Sequence, residues 1–446
     1  MRPPALGPAA GLVGLAVLGA ALGLALGTHP VPTALLAAAG VGMVSILALA
    51  VVRYDVAVAV GVLLLPIVRV EPAPVDGVFA VIIALSAVTN RLELRRVPLS
   101  MSAFAGAFLA LNLLSGMDAV DLARAASFGA ITVYLVMFGA WVAIYVDRER
   151  RVRMIVRLYV LVAVLSAVVA SAALFVHFPG STFLLTVDGE RAQGLFKDPN
   201  VYGPFLVPAA LILVQEALHP RLLRLNRLAQ LLCFLALAAG IVFSYSRAAW
   251  LNLVVGMAVT IVVTALRRGG SRRVFALMTV VIVALGALSW AIVASGSLSF
   301  LEQRARFQTY DTQRFGAQKS GIELAQRMPL GVGPGQFEDY SPVSAHSTYV
   351  RALAEEGLLG ATVVLGLMVG TLVLASRNAV LGRETYGLGS TALLAAWCGL
   401  LANSVFIDTL HWRHLWLLAG FIWAGVRAPL PGGAQLSSSA GRAAVR

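Results

Sequence analysis

His346 and Ser347 stand nine residues ahead of Gly357-Leu358-Leu359-Gly360, where the longest polar stretch of the chain gives way to an apolar run. An imidazole held at such a boundary can take a proton from a hydroxyl near neutral pH, without a large shift of its pKa. Arg314 falls in the same polar stretch and Arg191 and Arg247 in two others, and their rigid guanidinium forks suit a pair of adjacent phosphates. A base and several arginines together suit group transfer from a diphosphate-linked donor to an alcohol. Plainer roles stay open. His346 could cap or anchor the helix that follows it, and Arg247 could snorkel from an apolar segment to water. Gly357 and Gly360 mark one helix face, where missing side chains let a second helix approach.

The elements that must position these groups are membrane helices. Of 446 residues, 59% are hydrophobic and only 12% charged, and mean hydropathy is +0.86. A water-soluble globule cannot hide that much apolar surface. Apolar runs of about twenty residues recur, the length that crosses a bilayer core. They are continuous rather than alternating, which selects helices over a barrel. The expected spans are 11–27, 33–51, 55–70, 76–89, 100–117, 124–144, 153–173, 201–217, 228–244, 247–266, 273–295, 348–374, 387–404 and 411–427. The fold class expected is therefore an all-α polytopic membrane protein of 12–14 transmembrane helices, forming one integral membrane domain over 1–446.

Net charge is +13, yet nucleic acid is not the expected partner, because the arginines fall between apolar runs. Arg91, Arg95 and Arg96 share one connection, and Arg148, Arg150, Arg151 and Arg153 another. Arg221, Arg224 and Arg227, then Arg267, Arg268, Arg272 and Arg273, then Arg377 and Arg383 mark three more. Alternation of the spans puts all of these on one face, expected to be cytoplasmic with the N-terminus and a flexible tail over 429–446. The opposite loops hold Glu71, Asp76, Asp118 and Asp121, with Arg124 as an exception. Cys233 and Cys398 lie inside apolar runs and read as small core residues rather than a disulfide framework or metal site.

On the opposite face two segments are long enough to build a site, 174–200 and 296–347. The second is expected to hold a short interfacial helix over 315–328, with Ile322, Leu324 and Ala325 against apolar matter. Pro329-Leu330-Gly331-Val332-Gly333-Pro334-Gly335 then turns the chain back toward His346. It lacks the Gly-Lys-Ser/Thr ending of a phosphate-binding loop. A third feature is the short turn Ser244-Tyr245-Ser246-Arg247 between two apolar runs.

These pieces carry a family resemblance. Gly194-Leu195-Phe196-Lys197-Asp198-Pro199-Asn200, Ser246-Arg247-Ala248, Pro329-Leu330-Gly331-Val332-Gly333 and the His346-Ser347 to Gly357/Gly360 spacing follow one another in this order. Together they resemble the bacterial O-antigen ligase and polymerase family of membrane glycosyltransferases. The resemblance implies a GT-C-like helical bundle in the bacterial inner membrane, with short helices in a periplasmic segment and the site facing the periplasm. It implies an inverting transfer, without metal or cofactor, from an undecaprenyl-diphosphate-linked glycan to a hydroxyl of lipid A-core. His346 would be the catalytic histidine. Arg247, Arg314 and Arg191 would hold the donor diphosphate, with Arg304 and Arg306 competing with Arg314 for its role. The acceptor stays open: a second lipid-linked glycan would make the chain a polymerase, and a protein hydroxyl a protein O-oligosaccharyltransferase. A glycan or lipid transporter without transfer activity is the alternative outside enzymes.

Overall fold

The computed structural model describes residues 33–70, 73–267 and 309–429, with three single positions between the last two stretches. The expected spans 11–27 and 273–295, the tail beyond Pro429, and Arg304 and Arg306 lie outside the described residues.

The chain is helical throughout the described parts. The elements are α1 (Thr33–Val52), α2 (Tyr54–Leu63), α3 (Pro74–Val88), α4 (Leu99–Gly116), α5 (Leu122–Tyr145), α6 (Glu149–Ala172), α7 (Pro199–Leu218) and α8 (Arg227–Phe243). There follow α9 (Arg247–Ala265), α10 (Thr309–Arg327), α11 (Phe337–Tyr340), α12 (Thr348–Glu355), α13 (Gly357–Val380), α14 (Ser390–Asn403) and α15 (Arg413–Gly425). One small antiparallel hairpin pairs Glu384 with Gly389 and Thr385 with Leu388. Among the described residues six helices, α4, α5, α6, α7, α9 and α13, are long and apolar enough to cross a membrane, and shorter apolar helices accompany them. Among the described residues the main apolar core runs from Ala50 to Ala424, with a small separate cluster of Ala317, Phe337, Ala345 and Ala354 near His346. In the main core α9 lies along α14, α15 along α5, α13 along α4, and α7 against α8 and α9.

Two expected spans are corrected. The 55–70 span is helical only to Leu63. Pro66 has no N–H to donate and disfavours helical backbone at Leu65. The chain instead runs extended, and Val68 donates to the Leu195 carbonyl at 3.0 Å. The 348–374 span is two helices, α12 and α13, broken at Gly357, whose φ is +70. A Cβ there would collide with the Pro329 carbonyl, and one at Gly331 with the Glu355 carbonyl. Only glycine lets the two backbones approach so closely.

The connections sort to two ends. At one end Arg96 meets Asp147 (3.9 Å), Arg151 meets Asp55 (3.5 Å), Arg221 meets Glu149 (3.2 Å), and Arg267 donates to the Ala379 carbonyl (3.4 Å). This is the basic end, and it gathers arginines from each of the described basic connections. At the other end Arg413 pairs with Asp76, Arg124 with Asp339 (2.8 Å), and Thr348 donates its N–H to the Ser404 carbonyl (2.9 Å). Arg124, the exception in the charge pattern, is thereby neutralised by Asp339 and by Asp121 at 3.3 Å.

Candidate active site

His346 lies in the extended stretch that leads into α12 and is half-buried at the second end. Its φ is +44, in the left-handed region that residues with a side chain seldom occupy. Such a conformation persists only where its surroundings impose it. Here they do. Ser347 caps α12, its hydroxyl accepting from the Val350 N–H at 3.5 Å. Fully buried Thr348 is stitched to the α14–α15 connection, accepting from the Thr409 N–H at 2.8 Å and donating to the Ile407 carbonyl at 3.2 Å. From the other side Gln318 of α10 donates to the His346 carbonyl at 3.4 Å. The helix thus begins at Thr348, and His346 stands before its cap rather than within it.

A second strained turn carries Arg247. Tyr245 has φ +47, Ser246 caps α9 by accepting from the Ala249 N–H at 3.4 Å, and Arg247 is the first helical residue. The turn rests on α7, where a Cβ at Gly203 would lie 2.6 Å from the Ser244 hydroxyl. Arg191 braces the same turn. Its Nε donates to the Ser244 carbonyl at 2.9 Å and its Nη2 to Asn200 at 3.3 Å. Two of the nitrogens that would suit phosphates therefore hold protein atoms, and Arg191 joins the 174–200 segment to the Ser-Arg turn.

Arg314, on α10, donates to the Phe406 carbonyl at 3.0 Å. It is close enough to His346 to act on the ring electrostatically, as are Asp198, Arg351 and Asp408. Asp198 caps α7, accepting from the Asn200 N–H at 2.7 Å. The structure therefore brings His346 and Arg314 together, and through α7 it links them to the Arg191–Arg247 turn. The capped N-termini of α5, α7, α9 and α12, at Asp121, Asp198, Ser246 and Ser347, all belong to this end. Helix N-termini present N–H groups and positive partial charge, which favours an anion.

The ring does not titrate near neutrality as expected. Burial first, and Arg314 next, push the His346 pKa down to about 4, against the opposing pull of Asp198 and Asp408. The imidazole is neutral at pH 7. The expected role of Gly357 and Gly360 also changes. Gly357 breaks a helix against the Pro329–Gly331 loop, and a Cβ at Gly360 would meet the side chain of Glu356, the residue joining α12 to α13, not a second helix. On α10, Leu324 packs against the small cluster of Ala317, Phe337, Ala345 and Ala354, whereas Ile322 is exposed.

Three charged groups, Arg351, Glu355 and Asp408, escape the reading of the sequence. Arg351 is 8% exposed. It pairs with Glu338, with Asp408 at 3.3 Å and with Glu355 at 3.5 Å. A signal for them existed: Arg351 and Glu355, four apart, with Glu356 beside them, stand in a stretch read as a membrane span. Charges there are costly enough to mark either a site or a wrong boundary.

The class defined by this arrangement is a helical membrane protein with a polar cluster of arginines and carboxylates at one end of its bundle. Residues 232–365 match the family model described as O-Antigen ligase. That stretch takes in Arg247, Arg314, His346, Gly357 and Gly360, and leaves Arg191 and Asp198 outside it. No curated protein matches the chain.

Proposed function

We propose that the chain is a glycan transferase of the O-antigen ligase type, a GT-C-like bundle of 12–14 spans in the bacterial inner membrane. It moves a glycan from an undecaprenyl-diphosphate carrier to a hydroxyl of lipid A-core, at a site facing the periplasm. The basic end faces the cytoplasm, as the arginine bias of its connections requires. The observation that carries this reading is the convergence on His346 of Arg314 and the capped α7 terminus, the same terminus that Arg191 ties to the strained turn bearing Arg247.

In this reading Arg247 and Arg314 bind the donor diphosphate, and Arg191 holds the Ser-Arg turn in place for Arg247. The acceptor hydroxyl lies against His346. Its oxygen attacks the anomeric carbon from the side opposite the diphosphate, so the configuration there inverts. The hydroxyl proton passes to a ring nitrogen, the new C–O bond forms, and the bond to the diphosphate breaks. The leaving diphosphate carries the electron pair away, stabilised by the arginines. The low pKa of His346 gives the site an order of events. In the resting site the imidazolium is unfavourable beside Arg314. The negative charge of a bound diphosphate offsets that cationic field, raises the ring pKa and makes proton uptake favourable.

The test is transfer by the purified protein from an undecaprenyl-diphosphate glycan to separate acceptors. Glycan appearing on lipid A-core supports the proposal. Growth only on a second lipid-linked glycan would make the chain a polymerase, and modification only of peptide a protein transferase. No covalent product on any acceptor, with donor moved between leaflets, would make it a transporter. A parallel run with a metal chelator is expected to retain full activity.

A further inference from the structure

We propose, resting on that reading, that Arg351 is the positioning residue of the site, its single guanidinium tying the segment that bears His346 to the two segments folded over it. Arg351 sits one turn into α12, its N–H on the Ser347 carbonyl at 2.9 Å. Its guanidinium reaches out of that helix in three directions. One nitrogen meets Glu338 of α11, in the segment before His346. A second lies 3.3 Å from Asp408 on the α14–α15 connection. The third, Nε, is 3.5 Å from Glu355. The ring of Phe128 on α5 lies 5.3 Å from the guanidinium carbon. A planar fork with fixed nitrogens can serve three carboxylates at once, which an ammonium point charge cannot reproduce.

Two of these carboxylates hold backbone as well. Glu355 accepts from the N–H groups of Gly335 (2.8 Å) and Phe337 (3.2 Å), and so clamps the end of the glycine loop. Asp408 accepts from the Leu410 N–H at 3.2 Å and lies 3.5 Å from the Thr348 hydroxyl. Releasing Arg351 would therefore loosen the α14–α15 connection, to which Thr348 beside His346 is stitched, together with the end of the glycine loop. The charged groups that act on the ring are Arg314 from α10, Asp198 from the start of α7, Asp408 from the α14–α15 connection, and Arg351 itself. Arg351 is five residues from His346 and does its work through these contacts. It is not required to touch the substrate.

The experiment is a double-mutant cycle with a physical readout beside it. Arg351→Lys keeps the charge and loses the fork. Its kcat should fall roughly 10- to 100-fold with the donor KM changed by less than about threefold, because a misplaced catalytic group slows chemistry more than binding. In a His346→Ala background the same change should cost almost nothing, since both alter one interaction. A rise in donor KM at constant kcat would show donor contact and overturn the proposal. Equal losses in both backgrounds would overturn it too. Arg351→Gln alone risks leaving nearly buried Glu355 unpaired, so the charge-neutral partner is the double variant Arg351→Gln/Glu355→Gln. In that variant the His346 ring, followed by NMR of histidine-labelled protein, should titrate above the wild-type value of about 4. An unchanged midpoint overturns the proposal. If wild-type protein transfers to no acceptor, the functional reading fails, while the ring titration still decides this one.

Discussion

The two ends of the bundle are both rich in arginine and carboxylate, and they use them differently. At the basic end the most open pairs reach water, the side chains of Arg221 and Glu149 being 49% and 36% exposed and that of Arg148 61%, while those of Arg151 and Asp147 are 22% exposed each. At the site end Arg351 and Glu355 are 10% and 2% exposed, and Arg413 and Asp76 are 13% and 15%. Exposed pairs are screened and replaceable. Buried pairs carry a desolvation cost and tolerate the loss of neither partner. Backbone strain occurs at both ends: positive φ falls at Asn90, Arg224 and Tyr386 at the basic end, and at Tyr245 and His346 immediately before the Ser246 and Ser347 caps. Charge count does not tell the ends apart. A buried guanidinium shared by three carboxylates, close to the strained backbone of His346, does.

The change that should break this comparison most sharply is His346→Ala. The ring is half-buried in a connection, so the bundle should fold and insert. Transfer should fall by on the order of 10²–10⁴-fold, the usual worth of a positioned general base. Initial-rate transfer assays on detergent-purified protein measure it. Activity within a factor of about three of wild type would remove His346 from the chemistry, since a factor that small is under ~1 kcal/mol.

A matched pair of arginines compares the ends directly. Arg247→Ala should lower transfer on the order of 10²-fold, as the loss of one fixed donor to developing charge does. Arg247→Lys should recover part of it, since charge returns without the fork. Arg148→Ala at the basic end should leave transfer unchanged, because its partner Asp147 keeps Arg151 at 3.0 Å. Equal effects of the two alanine changes would erase the distinction between the ends.

Most of the scaffold is legible in the sequence, because apolar length and arginine spacing are local signals. α5, α6, α7, α8 and α9 start and stop within a few residues of the spans read from hydropathy, and polar caps such as Asn226 and Ser246 mark two of the starts. What escapes is long-range. Asp198 reaches the His346 site from a segment nearly 150 residues earlier, and no periodicity predicts that meeting. The break at Gly357 escapes because an apolar run with a glycine reads as one helix until the Pro329–Gly331 loop is seen against it. The low pKa of His346 escapes for the same reason. It depends on burial and on Arg314, which arrives on a different helix.

Arg314 gives the subtlest prediction, and it separates binding from tuning. It sits on α10, holds the Phe406 carbonyl at 3.0 Å, and after burial is the largest cause of the depressed His346 pKa. Arg314→Ala should lower transfer only about tenfold, roughly 1.4 kcal/mol of transition-state stabilisation, because Arg247 remains. Its pH profile should move in a definite direction. The ring must be neutral to accept a proton, so activity is lost as pH falls through its pKa. The acid limb of kcat/KM reports the free protein and should lie near pH 4 in wild type, where the ring pKa is about 4. Removing a cation beside the ring raises that pKa toward the ordinary 6.5, so the limb should shift to higher pH. Stability should follow the same sign. The unfolded ring binds protons below about pH 6.5 while the folded ring resists them to about 4, so wild-type stability falls as pH drops through this window. In Arg314→Ala the window narrows and the fall is smaller. An acid limb that stays in place while transfer drops would mean that Arg314 acts on the donor alone, and that the neutral state of His346 is set by burial without it.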